Sequence, residues 1–205
     1  MRGYINSIFM SQSSFVLVLT GSSGAGKGTQ AQFLEERLGF YHIDVGRLLR
    51  ERANAGDEFG KQLGDIMAQG KFIPDDLANA VVNEGWLGLD RSKVSQIVID
   101  GYPRSQGQAQ ALRTTLNYLG IGDVLVVWIQ VDDDEVVHRL MARGRADDTK
   151  EAIQKRIDRY HAEVVPGIEH LREQYTVAHI SGLGSEEEVH QSIVVAIKTA
   201  LKDKS

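Results

Sequence analysis

Runs of apolar residues that change period mark out the chain. Phe15, Val16, Val18 and Leu19 lie in a nearly continuous apolar stretch that stops at Gly21, which predicts a strand buried on both faces of a parallel sheet. From Lys27 the period becomes helical, with Ala31, Leu34 and Leu38 on one stripe, Glu35, Glu36 and Arg37 largely off it, and Gly39 as the stop. Strand signals return at Ile97-Val98-Ile99, from Val124 to Val131 and from Val177 to Ile180, and Tyr41-His42-Ile43 adds a short fifth. Enough chain separates these runs for helical crossovers, so the pattern predicts a doubly wound α/β fold with a five-stranded parallel sheet and helices on both faces. Ligands of such sheets bind beyond the carboxyl ends of the strands, where Gly21 and Asp100 fall. Between Val45 and Leu89 the chain reads as helices, with Gly70 ending one and Pro74 or Asp75 opening another; residues 45–89 are expected to form a helical lobe inserted between strands. Residues 1–14 read as a leader, possible disorder included, and 15–205 as the folded domain.

The sharpest chemical signal lies between the first strand and the first helix, in Gly21-Ser22-Ser23-Gly24-Ala25-Gly26-Lys27-Gly28-Thr29. Glycines there let backbone N–H groups converge on phosphate oxygens, and the helix that follows adds the positive end of its dipole. Lys27 is placed to reach β- and γ-phosphates and Thr29 to donate its hydroxyl to an inner phosphate. The loop departs from the simplest GxxxxGK[ST] form, since Gly28 follows the lysine and Thr29 comes one position later.

Composition narrows the classes. With 42% hydrophobic residues among 205, the chain can bury a core without staples, and with no cysteine it has no disulfide, thiolate zinc cluster or cysteine nucleophile. A net charge of −5 argues against nucleic-acid binding, although Arg139, Arg143, Arg145 and Arg156 form a local basic cluster suited to a small phosphate ligand. No apolar run is long enough to span a bilayer, so the expectation is a cytoplasmic protein with no membrane partner.

The loop GxxGxGKGTQ, ending at Gln30, resembles that of the adenylate kinase and UMP/CMP kinase family, and two further motifs follow in the family's order. Asp100-Gly101-Tyr102-Pro103-Arg104 resembles DG[FY]PR, and His42-Ile43-Asp44-Val45-Gly46-Arg47-Leu48-Leu49-Arg50 resembles HxSTGDLLR. The resemblance runs from about Phe15 to Leu201 and implies a P-loop NTPase-type fold with a helical acceptor-binding lobe. By resemblance Gly24, Ala25, Gly26, Lys27, Gly28 and Thr29 hold ATP, and Asp100 organises water around the Mg²⁺ that accompanies it. Arg104 and Arg50 grip the phosphate of AMP, with Val45, Gly46, Ile73 and Gly101 around it. Gln108 would pair with adenine, since one amide acceptor and two donors match a ring nitrogen and an amino group. Leu48, Phe72 and Ile73 suit either an apolar pocket wall or core packing, and Asp100 also suits a plain turn before glycine. The Tyr102–Pro103 bond is expected to be cis, as the family's is.

The family's lid is compressed here to residues 142–148, Ala-Arg-Gly-Arg-Ala-Asp-Asp. The resemblance implies that Arg139 stacks on the ATP adenine, that Arg143, Arg145 and Arg156 surround the transferring phosphoryl group, Arg145 and Arg156 also reaching AMP, and that the lid carboxylates Asp147 and Asp148 position arginines. Asp148 with Glu151 equally fits a helix-start capping box, and Pro166 is expected to end or kink the following helix. The short lid and the missing cysteines leave no place for the structural zinc of long-lid relatives. Three positions depart from the family pattern: Arg47 for an aspartate that orients magnesium's water, Val45 for threonine or alanine, and Ser23 for proline. The implied activity is reversible Mg-dependent phosphoryl transfer from ATP to AMP giving two ADP, by a monomer. A UMP/CMP or broad nucleoside-monophosphate kinase, or a nucleotide-binding regulator with weakened catalysis, is the alternative these departures leave open.

Overall fold

The computed structural model describes residues 14–69, 73–90, 94–144 and 148–202. Five parallel strands, β1 (Phe15–Thr20), β2 (Tyr41–Asp44), β3 (Gln96–Asp100), β4 (Asp123–Gln130) and β5 (Thr176–Ser181), form one sheet in the order β2-β3-β1-β4-β5. The order reverses beside β1, so the carboxyl end of that central strand opens on a crevice.

Strand alternation sends the two halves of each apolar run to opposite faces. Phe15, Leu17 and Leu19 pack with α1 (Lys27–Leu38) and the long carboxyl-terminal helix Glu186–Lys202, through Leu34, Ile193 and Ile197. Val16 and Val18 face the other way, onto Ile97, Ile99, Leu112, Leu116 and Leu171. That double burial is why β1 and β3 read as unbroken apolar runs with no amphipathic alternation.

Residues 45–89 contain α2 (Val45–Ala53), α3 (Glu58–Ala68) and α4 (Asp75–Leu87), and α5 (Gln106–Tyr118) follows β3. Asp44 ends β2 and its side chain accepts the N–H of Arg47, capping α2 at 2.9 Å. After β4 the chain forms α6 (Asp133–Arg143), and Gly144, at φ 65°, turns it away. Helix α7 (Lys150–Arg159) returns against α6 through a small separate core of Val136, Leu140, Ile153 and Ile157. At about 2 kcal/mol per buried aliphatic side chain, those four residues suffice to hold the two arginine-bearing helices together.

One local expectation takes a particular form and another reading is corrected. Before Pro166 the α-helix stops at Arg159, widens into a π turn at Tyr160–Val164 and resumes as α8 (Val165–Arg172), with the proline in the first turn of the new segment. The wide turn moves the preceding carbonyls away from the proline ring, which has no N–H to bond them. Asp148 does not cap α7; Thr149 does, accepting the N–H of Ala152, and Asp148 turns inward instead. The Tyr102–Pro103 bond is cis.

Candidate active site

The phosphate loop is forced into shape by its neighbours. Gly21 sits at φ 139°, and a Cβ there would stand 2.3 Å from the carbonyl oxygen of Ile129, so no other residue fits where the loop leaves the sheet. Lys27 opens α1, and its Nζ donates back to the carbonyls of Gly21 (2.9 Å) and Ser22 (2.8 Å). The ammonium is thus held at the mouth of the loop, between the carboxyl ends of β1 and β3. Burial pulls its pKa down to about 8; Asp100 opposes that pull and Arg104 adds to it.

Asp100 ends β3 directly beside Asp44 at the end of β2, the two being register partners. A Cβ on Gly28 would lie 3.7 Å from Asp100 Oδ2, so the carboxylate stands against the exit of the phosphate loop. Its Oδ1 is buried and makes no hydrogen bond. Burial pushes the carboxyl's pKa up, Lys27 and His42 oppose this, Asp44 adds to it and Arg104 opposes it. An orphaned carboxylate oxygen in such a place calls for a cationic or hydrated partner.

These groups line a cleft of about 1000 Å³. Its walls include Gly24, Ala25, Gly26, Lys27, Gly28 and Thr29 from the loop, Asp44, Gly46 and Arg50 from the β2–α2 junction, Asp100, Gly101 and Arg104 from β3 onward, and Arg139, Arg143 and Arg156 from α6 and α7. Arg139 is fixed by Glu135 at 2.7 Å and by the carbonyl of Gly182 at 2.8 Å, which ties α6 to the loop after β5. Asp148 gathers the other two guanidinium groups: its side chain is fully buried, Arg143 donates to both its oxygens at 2.9 and 2.7 Å, and Arg156 to Oδ1 at 2.7 Å. Arg145 and Asp147 lie outside the described residues, as do Gly70 and Phe72.

A second cavity, about 140 Å³, adjoins the first behind Lys27 and Arg104. Val45, Leu49, Ile73, Ala78 and Tyr102 supply its apolar wall and Gln108 its amide. Leu49 takes the part expected of Leu48, which packs toward Gly85 of α4 instead. Gln108 is buried and oriented: its Nε2 donates to Asp75 Oδ1 and its Oε1 accepts from the N–H of Arg104, each at 2.8 Å. Asp75 also accepts from Ser105 Oγ at 2.6 Å, and a Cβ on Gly107 would stand 2.6 Å from the same carboxylate. The carboxylate admits one orientation of the amide, leaving one N–H and one lone pair for a ligand. Arg104 donates its Nε to the carbonyl of Gly101 at 2.7 Å. Its side chain is exposed in the open cleft, so the downward pull of surrounding protein on its pKa, partly countered by Asp100, leaves it charged at neutral pH.

Among the described residues, every site residue expected from the sequence except Leu48 falls on one of these two adjoining walls or, for Asp148, directly behind them. Asp75, Tyr102, Arg159 and Tyr160 were not foreseen as part of it. For Arg159 a signal existed, because it lies one helical turn beyond Arg156. For Asp75 there was none, because its partners Ser105 and Gln108 are about thirty positions away in sequence.

A protein-family model described as adenylate kinase matches residues 19–176 of the chain. A protein of Synechococcus sp. strain RCC307 described as an adenylate kinase is 36% identical over 188 residues, 88% of this chain and 97% of its own length. An adenylate kinase of Stenotrophomonas maltophilia strain R551-3 is 36% identical, covering 89% of this chain and 98% of itself. One from Thermus thermophilus is 31% identical, covering 88% and 96%.

Proposed function

Because the chain belongs to the adenylate kinase family, we propose that its two adjoining cavities hold ATP and AMP and that the residues lining them carry the transfer between the two. The chain is a nucleoside-monophosphate kinase, a phosphotransferase of the ATP:AMP type. The observation that carries the site assignment is the meeting of Lys27, of Asp100 with Arg104, of Arg143 and of Arg156 on one cleft, from four separated parts of the chain.

Phosphoryl transfer spreads charge over the equatorial oxygens of the moving group, so the protein acts by alignment and by charge placed in advance. The backbone of Gly24 to Thr29 cradles the ATP phosphates, and Lys27 exchanges its two carbonyl partners for phosphate oxygens. Arg143 and Arg156, spaced by Asp148, face the transferring group, with Arg145 as a further contributor. Arg139 lies along the adenine of ATP beside Gly182. Arg104 and Arg50 hold the AMP phosphate, while Val45, Gly46, Ile73 and Gly101 shape its pocket. The remaining N–H and lone pair of Gln108 suit N1 and the amino group of adenine. Residues 45–89 act as the acceptor lobe and 142–148 as the lid, with Asp147 and Asp148 as its carboxylates.

The residues fit an Mg²⁺ ion carried in with ATP. Bound there, it supplies neutralisation of β- and γ-phosphate charge. Asp100 Oδ1 is the buried acceptor that would take a hydrogen bond from a metal-bound water. Among the described residues no group of three or more carboxylates or histidines could hold a metal directly, and a hydrated ion carried by a polyphosphate needs none. Arg47, at the position of the family's second metal-orienting aspartate, is exposed and 3.9 Å from Glu51, so its charge is directed along α2. No described helix is long and apolar enough to cross a membrane. Since one chain supplies every described residue of both cavities, we take the working unit to be a monomer, acting in the cytoplasm.

Initial rates with AMP, UMP, CMP and GMP at fixed Mg-ATP test this reading. AMP should lead by about 10-fold or more, because a base with the wrong donor order leaves the Gln108 amide unpaired. Equal rates with UMP or CMP would overturn the base assignment, and no transfer to any acceptor would overturn the activity.

The pH dependence of ATP binding follows from Lys27. Below about pH 8 the free chain already carries the Lys27 proton, so binding takes none up. Above that value the free lysine is neutral, a polyphosphate must recruit a proton, and affinity falls toward tenfold per pH unit. Calorimetry in buffers of different ionisation enthalpy should register proton uptake at about pH 9, none at about pH 7, and none at either pH in Lys27→Met. Stability of the free chain moves the other way: the unfolded lysine keeps its proton up to its ordinary value of 10.5, so the unfolded state binds more protons from about 8 upward and folding gains with pH across that window. No proton uptake at the higher pH would contradict the assignment of Lys27 to the polyphosphate.

A further inference from the structure

The smaller cavity has an excess of positive charge that Arg104 and Arg156 only partly explain. Its described lining contains Lys27, Arg104, Arg156 and Arg159 and no aspartate or glutamate. Arg159 is the last residue of α7, one helical turn beyond Arg156, so both arginines project from the same side of the helix. Its side chain is only 16% exposed. Glu163 holds its Nε edge at 2.8 Å across the π turn, which sets the plane of the guanidinium against the cavity wall. Arg156 lines both cavities; Arg159 lines the smaller one and is absent from the described walls of the ATP cleft. Its charge also reaches Arg104, where it weighs against the proton more than that of Arg156 does, behind the surrounding protein and the opposing pull of Asp100.

Placing a largely buried guanidinium in a wall with three other cations is unfavourable unless an anion joins them. Asp148 pairs with Arg156 from behind the wall, and Glu163, at 43% exposure, offsets part of the repulsion on Arg159 from one edge. Resting on the assignment of this cavity to the acceptor nucleotide, we propose that Arg159 is a further binding residue for the acceptor's phosphate, acting on that substrate alone. The dianion of a nucleoside monophosphate balances the cationic wall, and Arg159 extends that wall beyond what Arg104 supplies. The π turn is then part of the site: it carries Tyr160 into the same lining and lets Glu163 reach back to Arg159.

The test compares AMP with adenosine, which lacks the phosphate, on the parent chain, Arg159→Met and Arg159→Lys. Calorimetry gives both affinities, and steady-state assays give KM for ATP and for AMP. Losing a charge-assisted contact should weaken AMP binding by about 10- to 100-fold in Arg159→Met, with Arg159→Lys between it and the parent. Adenosine affinity and the KM for ATP should stay within about twofold in both, which also reports that the variants are folded. AMP affinity unchanged in Arg159→Met, or an equal loss for adenosine, overturns the proposal; the second result marks Arg159 as purely structural. A parent chain that binds ATP but no AMP defeats the acceptor assignment itself, a different failure from a parent that binds AMP as tightly as Arg159→Met.

Discussion

Lys27→Met should lower turnover by about 10²- to 10³-fold and leave the melting temperature unchanged or slightly raised. The catalytic loss has the size seen when one preorganised donor to a developing charge is removed. The stability result follows from where the lysine sits. Its ammonium is held between its own loop's carbonyls at a burial that depresses its pKa to about 8, so the folded chain gains nothing at neutral pH from keeping that charge. Methionine keeps the length of the side chain and removes the charge. Thermal melts and coupled ADP assays on the same preparation separate the two effects. Turnover within about threefold of the parent would remove Lys27 from the mechanism; a large drop in melting temperature would mean that the lysine supports the loop.

Asp148→Ala should damage both properties. Asp148 is fully buried and accepts from Arg143 and Arg156, whose side chains are 33% and 25% exposed. Deleting the shared anion leaves two guanidinium groups facing each other across a gap. Because both arginines reach solvent, the loss should be near the lower end for a broken buried pair, about 3 kcal/mol, or roughly 6 to 12 °C in a chain of this size. Turnover should fall about 10²-fold or more even well below the melting point, because α6 and α7 no longer present their arginines at a set spacing. Asp148→Asn should recover part of the stability and less of the rate. If Asp148→Ala melts with the parent and keeps its turnover, the carboxylate is not the spacer of the lid arginines.

The position of the phosphate loop was legible because its signals are local: an apolar strand run, glycines that free the backbone, and a lysine opening a helix. That the carbonyl of Ile129 is what closes in on Gly21 is a contact made by a distant strand and was not legible. The same holds for Asp100 at the end of a buried run. Where two local readings competed, packing made the choice. Asp148 followed by Glu151 has the spacing of a capping box, and Thr149 makes an equally good cap; the choice went to Thr149 because Arg143 and Arg156 compete for the carboxylate. Pro166 breaks a helix locally, yet the packing of Tyr160 and Ile168 against Trp128, with the indole N–H donating to the Tyr160 hydroxyl at 2.7 Å, favours a widened turn that keeps both halves in place.

Gln108 shows the division most clearly. Its residue type and its place after Arg104 could be read from the order of the chain, and with them a ligand presenting one donor and one acceptor. Which way the amide faces depends on Asp75, which meets it only when α4 packs against α5. Likewise the arginines could be counted along the chain, but not their allocation: Arg139 to the loop after β5, Arg143 and Arg156 to Asp148, Arg159 to the smaller cavity. Periodicity and loop chemistry depend on neighbours a turn or a strand away and so are written in the order of residues. Charge pairing and hydrogen-bond orientation depend on which distant groups meet, and those meetings exist only once the helices have packed onto the sheet.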